Sequence, residues 1–304
     1  MNKKNSFLKF ILQKEQLLDF AIIFISCLLA YLVIHFLYPY PFTFSDSGGY
    51  VEAAAKNIFY VYRPFGYSFF LQILHKITPN IHLIFITQTF LLFIATSFLA
   101  LTVKYFYTPN KKWLWYISLL FLIFTPTSFI MANWILSDLL FSVQIYLIVT
   151  LFIFIIKCNS WISALLYLLL LFTTLHVRYS AAIFPFVLIP FFLMKKGKVR
   201  WFVTIASILV FSFFYLQTKK SMKNRVHIEQ FSTGFDGWHY LNNSLYVLPH
   251  IDINSSDFNS AKLRNLHSFI MDDIDIITEI VENKQVVTSI FTWDNKLPLK
   301  QYYE

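Results

Sequence analysis

Read for its apolar and polar positions, the chain is a series of long hydrophobic runs separated by short charged turns. Seven runs read as spans: residues 19–38, 82–103, 113–131, 136–156, 161–176, 179–194 and 201–217. The first is about as long as a full bilayer crossing of roughly 20 residues. The sixth is short and carries Pro185 and Pro190, which predicts a kinked or partly protein-buried helix. Between the first two runs lies a longer loop, 39–81. Its "SDSGG", residues 45–49, reads as an acidic, glycine-bearing turn ahead of a short helix from Tyr50 to Asn57. In "YRPFGYSFFLQILHK", residues 62–76, Arg63 precedes Pro64 and is biased to extended backbone. The helix after it is apolar enough to lie on a membrane. Beyond residue 217 the chain turns polar. There Leu263, Leu266, Ile270, Ile274, Ile277 and Val281 recur at helical spacing, predicting an amphipathic helix against its own domain or a membrane surface.

The expected fold class is therefore all-α integral membrane. It comprises a polytopic bundle of about seven transmembrane helices over 1–217, juxtamembrane helices in the first outside loop, and an extracytoplasmic segment over 218–304. Composition agrees. Hydrophobic residues make up 57% of the chain and charged residues 13%, about half the charge of an ordinary soluble domain. The formal charge of +9 does not point to nucleic acid, because most basic residues sit at the ends of hydrophobic runs. Cys27 and Cys158 lie in or beside such runs, with no spacing for a disulfide framework or a metal site.

Those basic residues set an expected topology. Lys3, Lys4, Lys9 and Lys14 precede the first run; Lys104, Lys111 and Lys112 follow the second; Lys157 follows the fourth; and "KKGKVR", 195–200, follows the sixth. All fall on one side, the cytoplasmic one, if the N-terminus is cytoplasmic. The basic N-terminus also resembles a signal peptide, but no small-residue cleavage site follows the first run, which reads as an uncleaved span. The exception is "KKSMKNR", 219–225, which this topology puts outside.

On the outer side the same topology gathers the unusual polar residues. Asp46 and Arg63 lie in the first loop, Asp138 at the outer end of the fourth run, and His176 and Arg178 at the turn after the fifth. Ionisable residues at membrane depth mark function by default. Singly, each has a structural alternative: Asp46 or Ser47 as a helix N-cap, Asp138 as a cap of its own helix, Arg178 reaching to lipid headgroups. Together, a carboxylate can take a proton from an acceptor hydroxyl, and arginines can hold a phosphate and the charge growing on it. No dinucleotide, Walker, HExxH or GxSxG motif is present.

The order of an acidic first loop, "RPFGYSFFLQIL", "TPTSFIMANWILSDLLFSVQIYLIVTLFIFIIK" and "LLLFTTLHVRYSAAIFPFVLIPFFL" resembles the C-type glycosyltransferases, over roughly residues 19–200. That group includes bacterial lipid A aminoarabinose transferases and protein O-mannosyltransferases. The resemblance implies an inner-membrane enzyme that moves a sugar, with inversion, from a polyprenyl-phosphate donor to a lipid, glycan or protein acceptor outside. It implies Asp46 as general base. Substrate binding would fall to Arg63 and Arg178 as phosphate clamps, with His176, Asp138 and Tyr50. The first loop has Asp-Ser where many members have Asp-Glu, "RPFGYS" ends in serine where they have proline, and fewer spans are present than usual, so the chain reads as a reduced member or a fragment. No cofactor is named, and a divalent cation is left open. "FDGWHYLNNSLY", 235–246, is expected to cover the site, with Trp238 either stacking on a sugar or anchoring at the interface. Two other classes stay open: a transporter or flippase for lipid-linked sugars, and a non-catalytic membrane scaffold.

Overall fold

The computed structural model describes residues 7–60, 63–107, 111–123, 126–193, 197–226, 244–245 and 247–283. Two units result, Met1–Phe231 and Ser232–Glu304. In the first, the helices are α1 (Phe7–Ile11), α2 (Lys14–Leu37), α3 (Ser45–Lys56), α4 (Gly66–Ile77), α5 (His82–Tyr107), α6 (Lys112–Ile123), α7 (Pro126–Ala132), α8 (Ser137–Cys158), α9 (Trp161–Val177), α10 (Phe184–Leu193) and α11 (Lys198–Val226). The described residues contain no strand, only a bridge between Phe42 and Trp134.

This is a membrane-embedded, multi-pass, all-α protein. Lys14–Leu37, His82–Tyr107, Ser137–Cys158 and Lys198–Ser221 are long and apolar enough to cross a bilayer. Large side chains such as Phe24, Phe90, Leu165, Leu169, Leu209 and Phe213 face outward, where only lipid makes that favourable. The expectation of seven full spans does not hold among the described residues. The third run is two helices, α6 and α7. Pro126 opens the second, where its missing N–H costs nothing, whereas inside one continuous helix it would remove a hydrogen bond and clash with the preceding turn. The fifth run, α9, has 17 residues, the lower limit for a crossing. The sixth begins as a 3₁₀ turn, Tyr179–Ile183, before the ten residues of α10. The seventh does not stop at 217. α11 continues through the polar "KKSMKNR" to Val226, because Lys, Met and Arg sustain a helix as well as most apolar residues do.

α8 is the shared wall. On one side it packs on α5 and α7, which share with α2 and α6 a core of Ile23, Phe85, Leu92, Leu119 and Leu139. On the other it packs with α9 and α11 around Ile148, Tyr167, Leu171 and Val203. Away from the loop end, fully buried Asp19 takes Lys104 at 2.5 Å and the Trp115 indole N–H at 3.3 Å, joining α2 to α5 and α6. At the loop end α3 and α4 form a small third core of Tyr50, Tyr67, Leu71 and Ile135. α4 buries Tyr67, Ser68, Leu71 and Leu74 and turns Phe69, Ile73 and Ile77 outward, as expected of a helix lying on the membrane.

In the second unit the predicted amphipathic helix is two helices, α12 (Ala261–Asp272) and α13 (Ile274–Asn283), separated at Asp273. Ile270, Ile277 and Val281 are buried, and Leu263 is exposed.

Candidate active site

Backbone pairing places the loop. The Phe42 N–H donates to Asn133 O (2.8 Å) and the Ile135 N–H to Phe42 O (3.1 Å), which ties the start of the loop to the connection between α7 and α8. Ser47 completes the tie. Its hydroxyl donates to Ile135 O at 2.9 Å and accepts the Phe44 N–H at 2.9 Å, and its side chain is buried. "SDSGG" is therefore the opening of α3 rather than a turn. Its N-cap residue is Phe44, and Ser47 supplies the return half of a capping box from the third helical position. Asp46 is not the cap, and neither is Asp138, since α8 is preceded by Leu136 with no side-chain cap.

Asp46 and Asp138 instead occupy equivalent places. Each is the second residue of its helix, where the positive end of the helix dipole favours a carboxylate. Each meets an arginine from a later element. Arg63 Nη2 lies 2.5 Å from Asp46 Oδ1, and Arg63 Nη1 donates to Asp46 O. Arg178 Nη1 pairs with Asp138 Oδ1. Tyr50 stands between the pairs. The Arg63 guanidinium lies over its ring, 4.8 Å from the centroid, and its hydroxyl shares a 2.9 Å hydrogen bond with Ser137, the neighbour of Asp138. Burial holds the Tyr50 hydroxyl above its ordinary pKa. The Ser137 hydrogen bond and the charges of Arg63 and Arg178 pull the other way, and Asp138 pushes up. Both ion pairs thus act on one phenol, which is neutral at physiological pH.

The second contact that assembles the site is backbone against backbone. A β-carbon on Gly66 would lie 2.3 Å from His176 O and 2.6 Å from its carbonyl carbon, so the start of α4 presses directly on the end of α9. That contact joins the helix that follows Arg63 to the helix that Arg178 caps in extended geometry. The His176 ring is not brought to the ion pairs. Its Nδ1 sits 2.9 Å from Phe172 O, and the ring packs on Phe172 and on Phe214 of α11. The helix turns the imidazole into an aromatic layer instead. Trp238 lies outside the described residues.

Reasoning from sequence missed Gly66, read Ser47 only as a possible helix cap, and read Gln88 only as a deep polar candidate for a transporter, not as a structural tie. Gln88 is buried in α5; its Nε2 donates to Ala132 O (2.7 Å) and Trp134 O (3.0 Å), and its Oε1 accepts the Tyr67 hydroxyl (3.1 Å). It satisfies the carbonyls freed where α7 ends. A glutamine seven residues into a hydrophobic run was the available signal. Gln88→Leu is expected to lower stability by about 2 kcal/mol by stranding these groups, seen as a lower Tm in detergent, whereas an unchanged Tm would mean that water takes over their hydrogen bonds.

Comparisons with protein-family models, curated proteins and solved structures return no match. The site is accordingly read from its own geometry. Among the described residues no three His, Cys, Asp or Glu side chains converge, so they offer a divalent cation no ready donor set. The crevice lined by Gly49, Tyr50, Ala53, Arg63 and Pro64 is closed to a water molecule. The Asp46 carboxylate has an open side, being 52% exposed, while Arg63 is 13% exposed.

Proposed function

We propose that the chain is a membrane glycosyltransferase, moving a sugar from a polyprenyl-phosphate donor to an acceptor hydroxyl on the outer face of the inner membrane. The observation that carries this reading is the pairing of two aspartates with two arginines around Tyr50, where α8 and α9 meet the juxtamembrane helices α3 and α4. Such a place lets a lipid phosphate stay at headgroup depth while its sugar reaches a half-exposed carboxylate. The acceptor oxygen bonds to the anomeric carbon from the face opposite the phosphate, and the bond from that carbon to the phosphate oxygen breaks. The electron pair leaves with the polyprenyl phosphate, whose charge rises by one unit. Arg63 and Arg178 hold that charge, and Asp46 accepts the hydroxyl proton. The transporter alternative asks for substrate-facing polar groups deep in the bundle, and Gln88 is spent on Ala132, Trp134 and Tyr67. The scaffold alternative would use the same ion pairs structurally, and it differs from the transferase in leaving Asp46 dispensable for any transfer.

Transfer of a labelled sugar from polyprenyl phosphate by the purified protein in nanodiscs tests the reading. Product formation supports it, and inactivity with every lipid-phosphate sugar offered removes it. Sidedness has its own test. Ser137 and Cys158 stand at opposite ends of α8, and Cys158 is exposed. With Asp138 outside, Cys158 should resist an impermeant thiol reagent in intact cells and react once the membrane is opened. In a Cys158→Ser background, Lys56→Cys should react without opening. The inverse pattern would put Asp46 in the cytoplasm.

A further inference from the structure

We propose that Arg63 is held in reserve by Asp46, and that an arriving polyprenyl phosphate displaces the aspartate from it, seating the donor and releasing the base in one exchange. The inference rests on the transferase reading and adds an order to it: donor phosphate first, acceptor second. The two partners are unequally held. Arg63 is mostly buried; it also donates to the Asp46 backbone carbonyl and lies over the Tyr50 ring. Those two contacts keep the guanidinium in place when the carboxylate leaves. The Asp46 side chain is half exposed, so it turns toward water at little cost. A phosphate offers a guanidinium two parallel hydrogen bonds with more charge than one carboxylate contact supplies. Before the exchange Arg63 is occupied and Asp46 Oδ1 is engaged. Afterwards Arg63 is on the leaving group, and Asp46 is beside it with both oxygens open to an acceptor hydroxyl. The transfer then proceeds as above, the hydroxyl proton passing to Asp46 and the electron pair leaving on the phosphate that Arg63 now holds. Arg178, paired in the same way with Asp138, stands close enough to act on Tyr50 and adds its charge to the same phosphate.

The exchange makes a prediction that runs against the usual effect of damaging an active site. Removing the charge of Asp46 takes one competing carboxylate off Arg63 and should tighten phosphate binding while transfer is lost. Binding of polyprenyl monophosphate to the full chain is measured in phosphatidylcholine nanodiscs, with phosphatidylglycerol as the competing source of an anionic headgroup. Asp46→Asn should bind polyprenyl monophosphate up to about fivefold more tightly than wild type, the size of one exposed ion pair. Arg63→Gln in that background should abolish the gain, and phosphatidylglycerol should show none. Asp46→Ser repeats the measurement independently, guarding against a folding artefact in one variant. Wild-type binding with no gain in either variant overturns the exchange and leaves the transferase reading standing. An equal gain for phosphatidylglycerol overturns it as well, because Arg63 would then be taking any lipid phosphate. A wild-type protein that does not bind polyprenyl monophosphate overturns both.

Discussion

Asp46→Asn is expected to abolish sugar transfer while leaving the protein folded. General-base catalysis is worth about a hundred- to ten-thousand-fold in rate, so transfer from polyprenyl phosphate should fall by that factor with Tm unchanged. The substitution is conservative where it must be. Asp46 is the second residue of α3, not its cap; the Arg63 contact to its backbone carbonyl survives; and an ion pair this exposed contributes only about 0–1 kcal/mol. The comparison variant is Glu52→Gln. Glu52 lies on the same helix and engages Lys56 and Tyr60, so it tests charge loss on α3 at a carboxylate held by Lys56 rather than by Arg63 or Arg178. Ser47→Ala, the neighbour that seems harmless from sequence, is a poor comparison. It removes the hydrogen bond that fastens α3 to Ile135, just ahead of α8, and the one that caps α3 at Phe44. Wild-type activity in Asp46→Asn would leave the proposed mechanism without a base and favour the scaffold.

The twin geometry bears on how the charges work. Asp46 and Asp138 both lie at helix N-termini, and Arg63 and Arg178 both arrive from the loop end of the bundle. Each aspartate is therefore stabilised twice, by a helix dipole and by a guanidinium. Each arginine is engaged by a carboxylate in turn. Tyr50, in reach of both pairs, is the group whose removal would uncouple them.

The helices were readable because a hydrophobic run speaks for itself. The body of the loop helix from Tyr50 onward and the apolar helix after Arg63 both follow from local pattern. What was not readable is what depends on a partner far along the chain. Pro126 sits in a run apolar enough to read as one span, yet it opens a helix of its own, α7. Ser47 is ordinary in a polar loop, and its importance comes from Ile135, 88 residues away. His176 neighbours Arg178 in sequence yet faces an aromatic layer, because adjacent residues near the end of a helix point in different directions.

The largest structural effect is expected at Gly66. Gly66→Ala puts a methyl group 2.3 Å from His176 O, and the obstacle is backbone, so no side-chain rotation relieves it. α4 must move off α9. Overpacking of this kind costs typically 1–3 kcal/mol and occasionally more, and here about 3 kcal/mol is expected, read as a lower Tm in detergent. Activity should fall further than stability, because the same movement draws Arg63 away from Arg178 and opens the arrangement around Tyr50. Gly48→Ala is the opposite case. Gly48 is an exposed helical residue with nothing within 4 Å of an added β-carbon, and replacing glycine inside a helix gains about 0.5–1 kcal/mol. The pair separates a requirement for space from a general intolerance of the loop. If Gly66→Ala matches wild type in both Tm and transfer, then α4 does not press on the end of α9, and the arginines are not held together by that contact.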